Sequence, residues 1–255
     1  MGLVSLALAL TCLGAALLTA HAAPLSGILG SEDHRVPVEP DQWPWSSIGR
    51  LNRSGTGFCT ATLIGPRQVL TAAHCLYDPR TRRWAQPDEI HFIAGYARGA
   101  YLAHALGRSI VKPAGYAFDH APGRADMTRD WVVIVLDSDV PLKPVAIRAL
   151  ADKPLHDAVA RGELVRAGYS RNRPHLLAMH RGCALSEIGE RGALILHRCD
   201  STEGDSGSPL LLFEDGRPAI VGIHIAVAGT PSDRNGVAVS ATVFESVVRK
   251  AVQSN

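Results

Sequence analysis

Neither sign of charge is in excess in this chain: 26 Lys and Arg face 24 Asp and Glu in 255 residues, a formal net charge of +2. The arginines are scattered rather than gathered into a stripe, so the electrostatic footprint of a nucleic-acid binder is missing and no such partner is expected. Long apolar runs are equally scarce. Beyond the first 22 residues no stretch is long and apolar enough to cross a bilayer. Internal repeats and low-complexity tracts are absent. There are only five cysteines, with no C-x-x-C pair and no H-x-x-x-H cluster beside one, which excludes the common zinc arrangements; no metal and no cofactor is expected.

The single apolar run, Leu3 to Leu18, carries no charge and is followed by Ala20-His21-Ala22. It reads as a secretory signal with a small-x-small cleavage site after Ala22, although its n-region lacks Lys or Arg. It is short for a membrane anchor, and Pro24 and Gly27 follow at once, so the mature chain is expected to be secreted or periplasmic, monomeric and without stable membrane association. Residues 23–34 read as a propeptide or N-terminal extension. The remainder is large for one barrel and suits two of a hundred-odd residues sharing a cleft. Cys12 goes with the signal, leaving Cys59, Cys75, Cys183 and Cys199. Three pairings are open to four cysteines in an exported chain; the short loops favour Cys59–Cys75 and Cys183–Cys199.

Short apolar runs separated by Gly, Pro, Asn and Asp indicate an all-β protein. Phe58–Ile64 and Val69–Thr71 flank the turn Gly65-Pro66-Arg67-Gln68, and Ile90–Ala94, Ile110–Val111 and Trp131–Leu136 continue a first antiparallel barrel over residues 35–145. After a connection around Asp137–Leu155, a second barrel over residues 146–255 takes Leu164–Gly168, Leu194–His197, Pro209–Phe213, Ala219–Ile225 and Val237–Ser240, with Asp215-Gly216 as a hairpin turn. From Thr242 to Val252 the apolar period lengthens to that of a helix. Arg80–Pro87 and Tyr169–His180 are polar and turn-rich and read as surface loops.

Chemistry concentrates in three places. Gly204-Asp205-Ser206-Gly207-Ser208-Pro209 puts a serine in a turn that only glycine-flanked backbone makes, and such a turn can aim the Gly204 and Ser206 amides at one point as an oxyanion hole. Leu70-Thr71-Ala72-Ala73-His74-Cys75 places a histidine in a small-residue turn after an apolar strand. Asp130 immediately precedes Trp131-Val132-Val133-Ile134-Val135-Leu136 and is preferred over Asp126, which lies in a more polar stretch. A serine hydroxyl needs a base to take its proton, and a buried carboxylate to hold that base, so His74, Asp130 and Ser206 form a candidate Ser-His-Asp triad.

That chain order and those blocks resemble the chymotrypsin-like serine endopeptidases, and more closely their bacterial glutamyl-endopeptidase-like branch. The likeness rests on Cys59-Thr60-Ala61-Thr62-Leu63-Ile64, the Thr71–Cys75 block, Cys199-Asp200-Ser201 and Val221-Gly222-Ile223-His224, and runs from about Asp33 to near the C-terminus. It implies two antiparallel six-stranded β-barrels with a C-terminal helix, protein or peptide substrates, and an acyl-enzyme on Ser206. It also aligns Gly27-Ile28-Leu29 with the mature start of the related bacterial enzymes, which implies a short propeptide from Ala23 to about Ser26. The animal members begin their mature chains with Ile-Val-Gly-Gly, whose ammonium meets the aspartate beside the nucleophile; no such start exists here, and Asp205 reads as a structural carboxylate. Two specificities remain open. The resemblance places His224 in the strand lining the primary pocket and Ser201 where glutamyl endopeptidases carry a threonine. A protonated His224 with the Ser201 hydroxyl would then favour Glu before the scissile bond. Asp200, six positions before Ser206, would instead select Arg or Lys if it formed the pocket base. A non-catalytic binding homologue is the remaining alternative, and such proteins usually lose a triad residue, none of which is missing here.

Overall fold

The computed structural model describes residues 27–29, 32–54, 57–78, 80–116, 123–230 and 233–253. The expected signal and the Ala23–Ser26 propeptide lie outside these residues. After a two-residue strand β1 (Val36–Pro37), the first half contains β2 (Ile48–Arg53), β3 (Gly57–Leu63), β4 (Gln68–Thr71), the small hairpin β5 (Tyr77–Asp78) and β6 (Arg83–Trp84), β7 (Ile90–Ala94), β8 (Ala103–Val111), a one-turn helix α1 (Arg124–Met127) and β9 (Val132–Leu136). Strands β2, β3, β4, β9, β8 and β7 close on themselves in that order as a six-stranded antiparallel barrel. All five residues of β9, Val-Val-Ile-Val-Leu, are buried. The branched side chains suit a pleated strand with both faces covered.

The second half begins with helix α2 (Asp152–Arg161), followed by β10 (Glu163–Tyr169), β11 (Leu177–Arg181), β12 (Leu185–Gly189), β13 (Leu194–His197), β14 (Pro209–Glu214), β15 (Arg217–Thr230), β16 (Asp233–Ser240) and helix α3 (Ala241–Gln253). Here the ladder has eight strands rather than six, in the order β1-β11-β10-β14-β15-β16-β13-β12. The difference comes from β1, which crosses from the N-terminal segment to pair Val36 with Met179 and Pro37 with Ala178, and from the hairpin strand β12. Residues 36–38 therefore belong with the second half, and the first barrel starts at Ile48 instead of residue 35. Asp215 and Gly216 form the β14–β15 turn, both with positive φ (51° and 72°), as a tight primed turn requires.

Both disulfides form as Cys59–Cys75 and Cys183–Cys199, each with a sequence separation of 16. The first anchors β3 to the turn carrying His74; the second ties the β11–β12 connection to the segment after β13. One apolar cluster joins the halves, with Ile48, Leu70 and Val133 from the barrel packed with Val165, Leu211 and Ile223. α3 seals it through Ala241, Phe244 and Val248, spaced three and four apart on one face. Among the described residues no helix is long and apolar enough to cross a membrane.

Candidate active site

Asp130 lies at the foot of β9, buried, and is met by three donors. The backbone N–H of His74 reaches Oδ1 at 2.9 Å, His74 Nδ1 lies 2.6 Å from Oδ2, and the Tyr116 hydroxyl donates to Oδ1 at 3.3 Å. His74 sits in a single 3-10 turn, Ala73–Cys75, directly after β4, with a third of its side-chain surface exposed. Burial alone would lower its pKa, but the Asp130 charge and hydrogen bond outweigh that and raise it above the ordinary 6.5. Tyr116 is pushed the other way from ionising, by burial first and by Asp130 second, so it stays a proton donor to the carboxylate.

The Ser206 turn comes from the other half of the molecule and meets the strand and turn that lead to His74. Thr60 N–H donates to the Ser206 carbonyl at 2.9 Å, and Cys75 Sγ, next to His74, lies 3.9 Å from the same oxygen. Gly207 has φ +80°, and a Cβ there would stand 2.1 Å from Thr71 Oγ1 and 2.3 Å from Thr60 O. No larger residue fits between the turn and the strands leading to His74. Gly204 has φ +96° and its carbonyl accepts from Thr60 Oγ1. Among the described residues neither the Gly204 nor the Ser206 N–H has an acceptor, which leaves both amides available to an oxyanion.

Asp205, fully buried, is the structural carboxylate that sequence suggests, and its partners explain how. Arg166 Nη1 lies 2.6 Å from Oδ1, while Ser170 Oγ and the Thr202 N–H donate to Oδ2 at 2.7 Å each. Arg35 Nη1 approaches at 3.5 Å. Arg166 also donates through Nε to the Asp200 carbonyl at 2.9 Å. An internal guanidinium thus occupies the carboxylate that an inserted amino terminus meets in the animal enzymes.

Of the three pocket candidates, Asp200 is placed differently from the role it would need for Arg or Lys recognition. Its carboxylate accepts the Leu29 N–H at 2.7 Å, the His34 N–H at 2.9 Å and His34 Nδ1 at 2.9 Å, and it has no exposed surface. A pocket-base aspartate must keep its charge for the substrate; this one is spent on the N-terminal segment. His180 Nδ1 lies 3.4 Å from the same carboxylate, so His34, His180 and Asp200 have metal-ligand chemistry, but His180 Nδ1 already accepts the Asp200 N–H at 2.8 Å.

His224 and Ser201 keep their donors. His224 is bound at the Ser206 turn through its backbone, with Gly207 N–H to His224 O at 2.7 Å and His224 N–H to Ser208 O at 2.8 Å. Its ring joins a relay that fixes the tautomers. The Cys199 N–H donates to His197 Nδ1 at 3.1 Å, so His197 carries its proton on Nε2 and gives it to His224 Nδ1 at 3.2 Å, leaving His224 with an Nε2–H. Burial, then the Arg166 charge, drive the His224 pKa down to about 3, and burial and the His224 charge lower His197 well below its usual value. The expectation of a protonated His224 is therefore corrected: the ring is a neutral donor. The Ser201 hydroxyl is buried with no hydrogen-bond partner among the described residues.

Sequence reasoning missed Tyr116, Arg166, Arg35 and His197. A lone arginine inside the apolar strand at Leu164–Gly168 was a usable signal for Arg166; nothing local marks Tyr116.

A trypsin-family model matches residues 34–248. The chain belongs to the trypsin family. It is 28% identical over 217 residues to serine protease 23 of Rattus norvegicus, covering 76% of this chain and 55% of that protein. A 61-residue stretch is 33% identical to glutamyl endopeptidase of Bacillus licheniformis, covering 24% of this chain and 19% of that protein. The chain thus spans about half the length of the rat relative and about a fifth of the bacterial one. A solved structure of a Glu endopeptidase in complex with MPD superposes with a TM-score of 0.72 at 21% identity, over 89% of this chain and all of that one, and shows the shared fold.

Proposed function

We propose that this trypsin-family chain is a secreted or periplasmic serine endopeptidase that prefers Glu before the scissile bond. The observation that supports the catalytic reading is the His74–Asp130 pair with Cys75, the residue next to His74, and Thr60 both meeting the Ser206 carbonyl. Ser206 Oγ attacks the peptide carbonyl while His74 Nε2 takes its proton. Asp130, bonded to Nδ1, holds the tautomer and stabilises the imidazolium, and Tyr116 holds Asp130. The Gly204 and Ser206 amides receive the developing oxyanion. The imidazolium then protonates the departing amine, the acyl group stays on Ser206, and water repeats the sequence to release the acid.

For specificity, the Ser201 hydroxyl is a buried donor with no partner among the described residues and the His224 ring offers an Nε2–H, while Asp200 is already saturated. A carboxylate satisfies two donors; a guanidinium or ammonium would find no free anion. The test uses one preparation and two substrates. A fluorophosphonate should label the wild type and not Ser206→Ala, whose turnover should fall by several orders of magnitude. Matched Glu and Arg chromogenic peptides should be cleaved with Glu faster. Faster Arg cleavage sinks the specificity reading and leaves the peptidase standing; undiminished turnover by Ser206→Ala sinks both.

A further inference from the structure

We propose that residues 32–38, with Gly27 and Leu29 ahead of them, form an internal strap that holds the loop from Asp200 to Asp205 in its substrate-ready shape, with Arg35 as the chief positioning residue. The inference rests on the peptidase reading above, since that loop carries Ser201 and Gly204 and leads into Ser206. The strap is first fixed to the second sheet. Val36 and Pro37 pair with β11, the Val38 N–H donates to the Leu177 carbonyl at 3.1 Å, and Arg173 bonds both the Arg35 carbonyl and Asp33.

From that mooring it reaches the loop repeatedly. Leu29 and His34 bind the Asp200 carboxylate, and the Ser201 N–H donates to the Gly27 carbonyl at 3.0 Å. Gly27 has φ +95°, and a Cβ there would stand 2.1 Å from Ser201 O, so strap and loop are in backbone contact. The Arg35 guanidinium has no exposed surface. Its Nε and Nη2 grip both oxygens of Asp33 at 2.8 and 2.9 Å, and Arg35 holds the Asp33 carboxyl down at about 2. Nη1 donates to Ser170 Oγ at 2.7 Å and to Thr202 Oγ1 at 3.1 Å, and lies 3.5 Å from Asp205 Oδ2. Two carboxylates, one from the strap and one beside Ser206, thus flank a single buried cation.

The loop itself has no regular structure between β13 and β14 and turns twice through positive-φ glycines. Its shape is therefore set by these side-chain bonds and by Arg166 rather than by a ladder. His74 and Asp130 make no recorded bond to the strap. Loosening the strap should consequently impair the loop's work, oxyanion and pocket binding, without changing how His74 titrates.

The experiment compares Arg35→Ala, Arg35→Lys and His34→Ala in the full chain, reading kcat, KM, fluorophosphonate labelling rate and the pH midpoint of the acid limb. Arg35→Ala should lower kcat/KM and the labelling rate together by about tenfold or more with the midpoint unmoved. Arg35→Lys should recover part of the loss, since it keeps the charge but not the planar fork. His34, with 53% of its side chain exposed, tolerates truncation, so His34→Ala keeps the test alive should Arg35→Ala not fold; a loss of about threefold in the same two rates is expected. Folded variants within twofold of wild type in both rates overturn the strap, and so does a loss accompanied by a moved midpoint. A wild type that fluorophosphonate leaves unlabelled overturns the peptidase reading underneath it.

Discussion

Replacing Arg166 with Met keeps the side chain's length and apolar stem but removes the cation that neutralises Asp205. Three acceptors lose a donor at once: Asp205 Oδ1, bonded at 2.6 Å, the Asp200 carbonyl at 2.9 Å, and Ser208 Oγ at 3.4 Å. Arg166 and Asp205 are both without exposed surface, so water cannot take over. Breaking a buried ion pair by removing one member costs roughly 3–5 kcal/mol, because the remaining charge is left uncompensated. Arg35 at 3.5 Å offsets part of this and places the expectation at the lower end, about 3 kcal/mol. For a domain of this size each kcal/mol moves Tm by about 2–4 °C, so a fall of roughly 6–12 °C is expected in a calorimetric scan. Adding Asp205→Leu to Arg166→Met removes the stranded charge and should restore part of the Tm while leaving activity low, since Thr202 and Ser170 then lose their acceptor. An Arg166→Met protein melting within about 2 °C of wild type would refute the claim that this pair holds the loop.

His74 must be neutral to accept the Ser206 proton, and its pKa is raised, so kcat/KM should be lost as pH falls through a midpoint above 6.5, read from a pH–rate profile. Stability runs the opposite way: the raised pKa makes the His74–Asp130 pair contribute fully below 6.5 and less as pH climbs through the folded value, which thermal melts across that window would detect. KM for a Glu peptide should stay flat over about pH 5 to 8, because His224 does not titrate there. Both disulfides close equal loops, so Cys→Ser pairs at 59/75 and 183/199 should each cost about 3 kcal/mol in melts, but only the first, which brackets His74, should also slow turnover of a chromogenic peptide.

The candidate triad was legible because each member sits in local context that its role demands: small residues around His74, glycines around Ser206, an apolar strand after Asp130. Most strands were legible for the same reason. β8 was seen only as Ile110–Val111 because Gly107 and Arg108 interrupt its alternation, and the ladder is indeed bulged between Gly107 and Ser109. Helix α2 hides in the connection because only Leu155 and Ala158 of its ten residues are buried. Arg166 and Arg35 were not legible at all as partners of Asp205, since 39 and 170 positions separate them from it. A buried ion pair has no periodicity to read; only folding brings its halves together.

Asp200 shows why an offset in sequence cannot settle specificity: the residue stands six places before Ser206, yet two backbone amides and His34 have claimed its oxygens. The proposed Glu pocket then raises a question of charge, whether a bound carboxylate is met by imidazole or imidazolium. Lifting His224 from about 3 to neutrality would take several kcal/mol. A hydrogen bond to a charged group supplies only about 1.5–3 kcal/mol, and Arg166 opposes protonation throughout. Two neutral donors, the Ser201 hydroxyl and the His224 Nε2–H, are therefore the recognition chemistry that the electrostatics permit. The His197 relay supplies what protonation cannot: by fixing His224 Nδ1 as an acceptor, it keeps the proton on Nε2, the donor that the proposed Glu pocket needs.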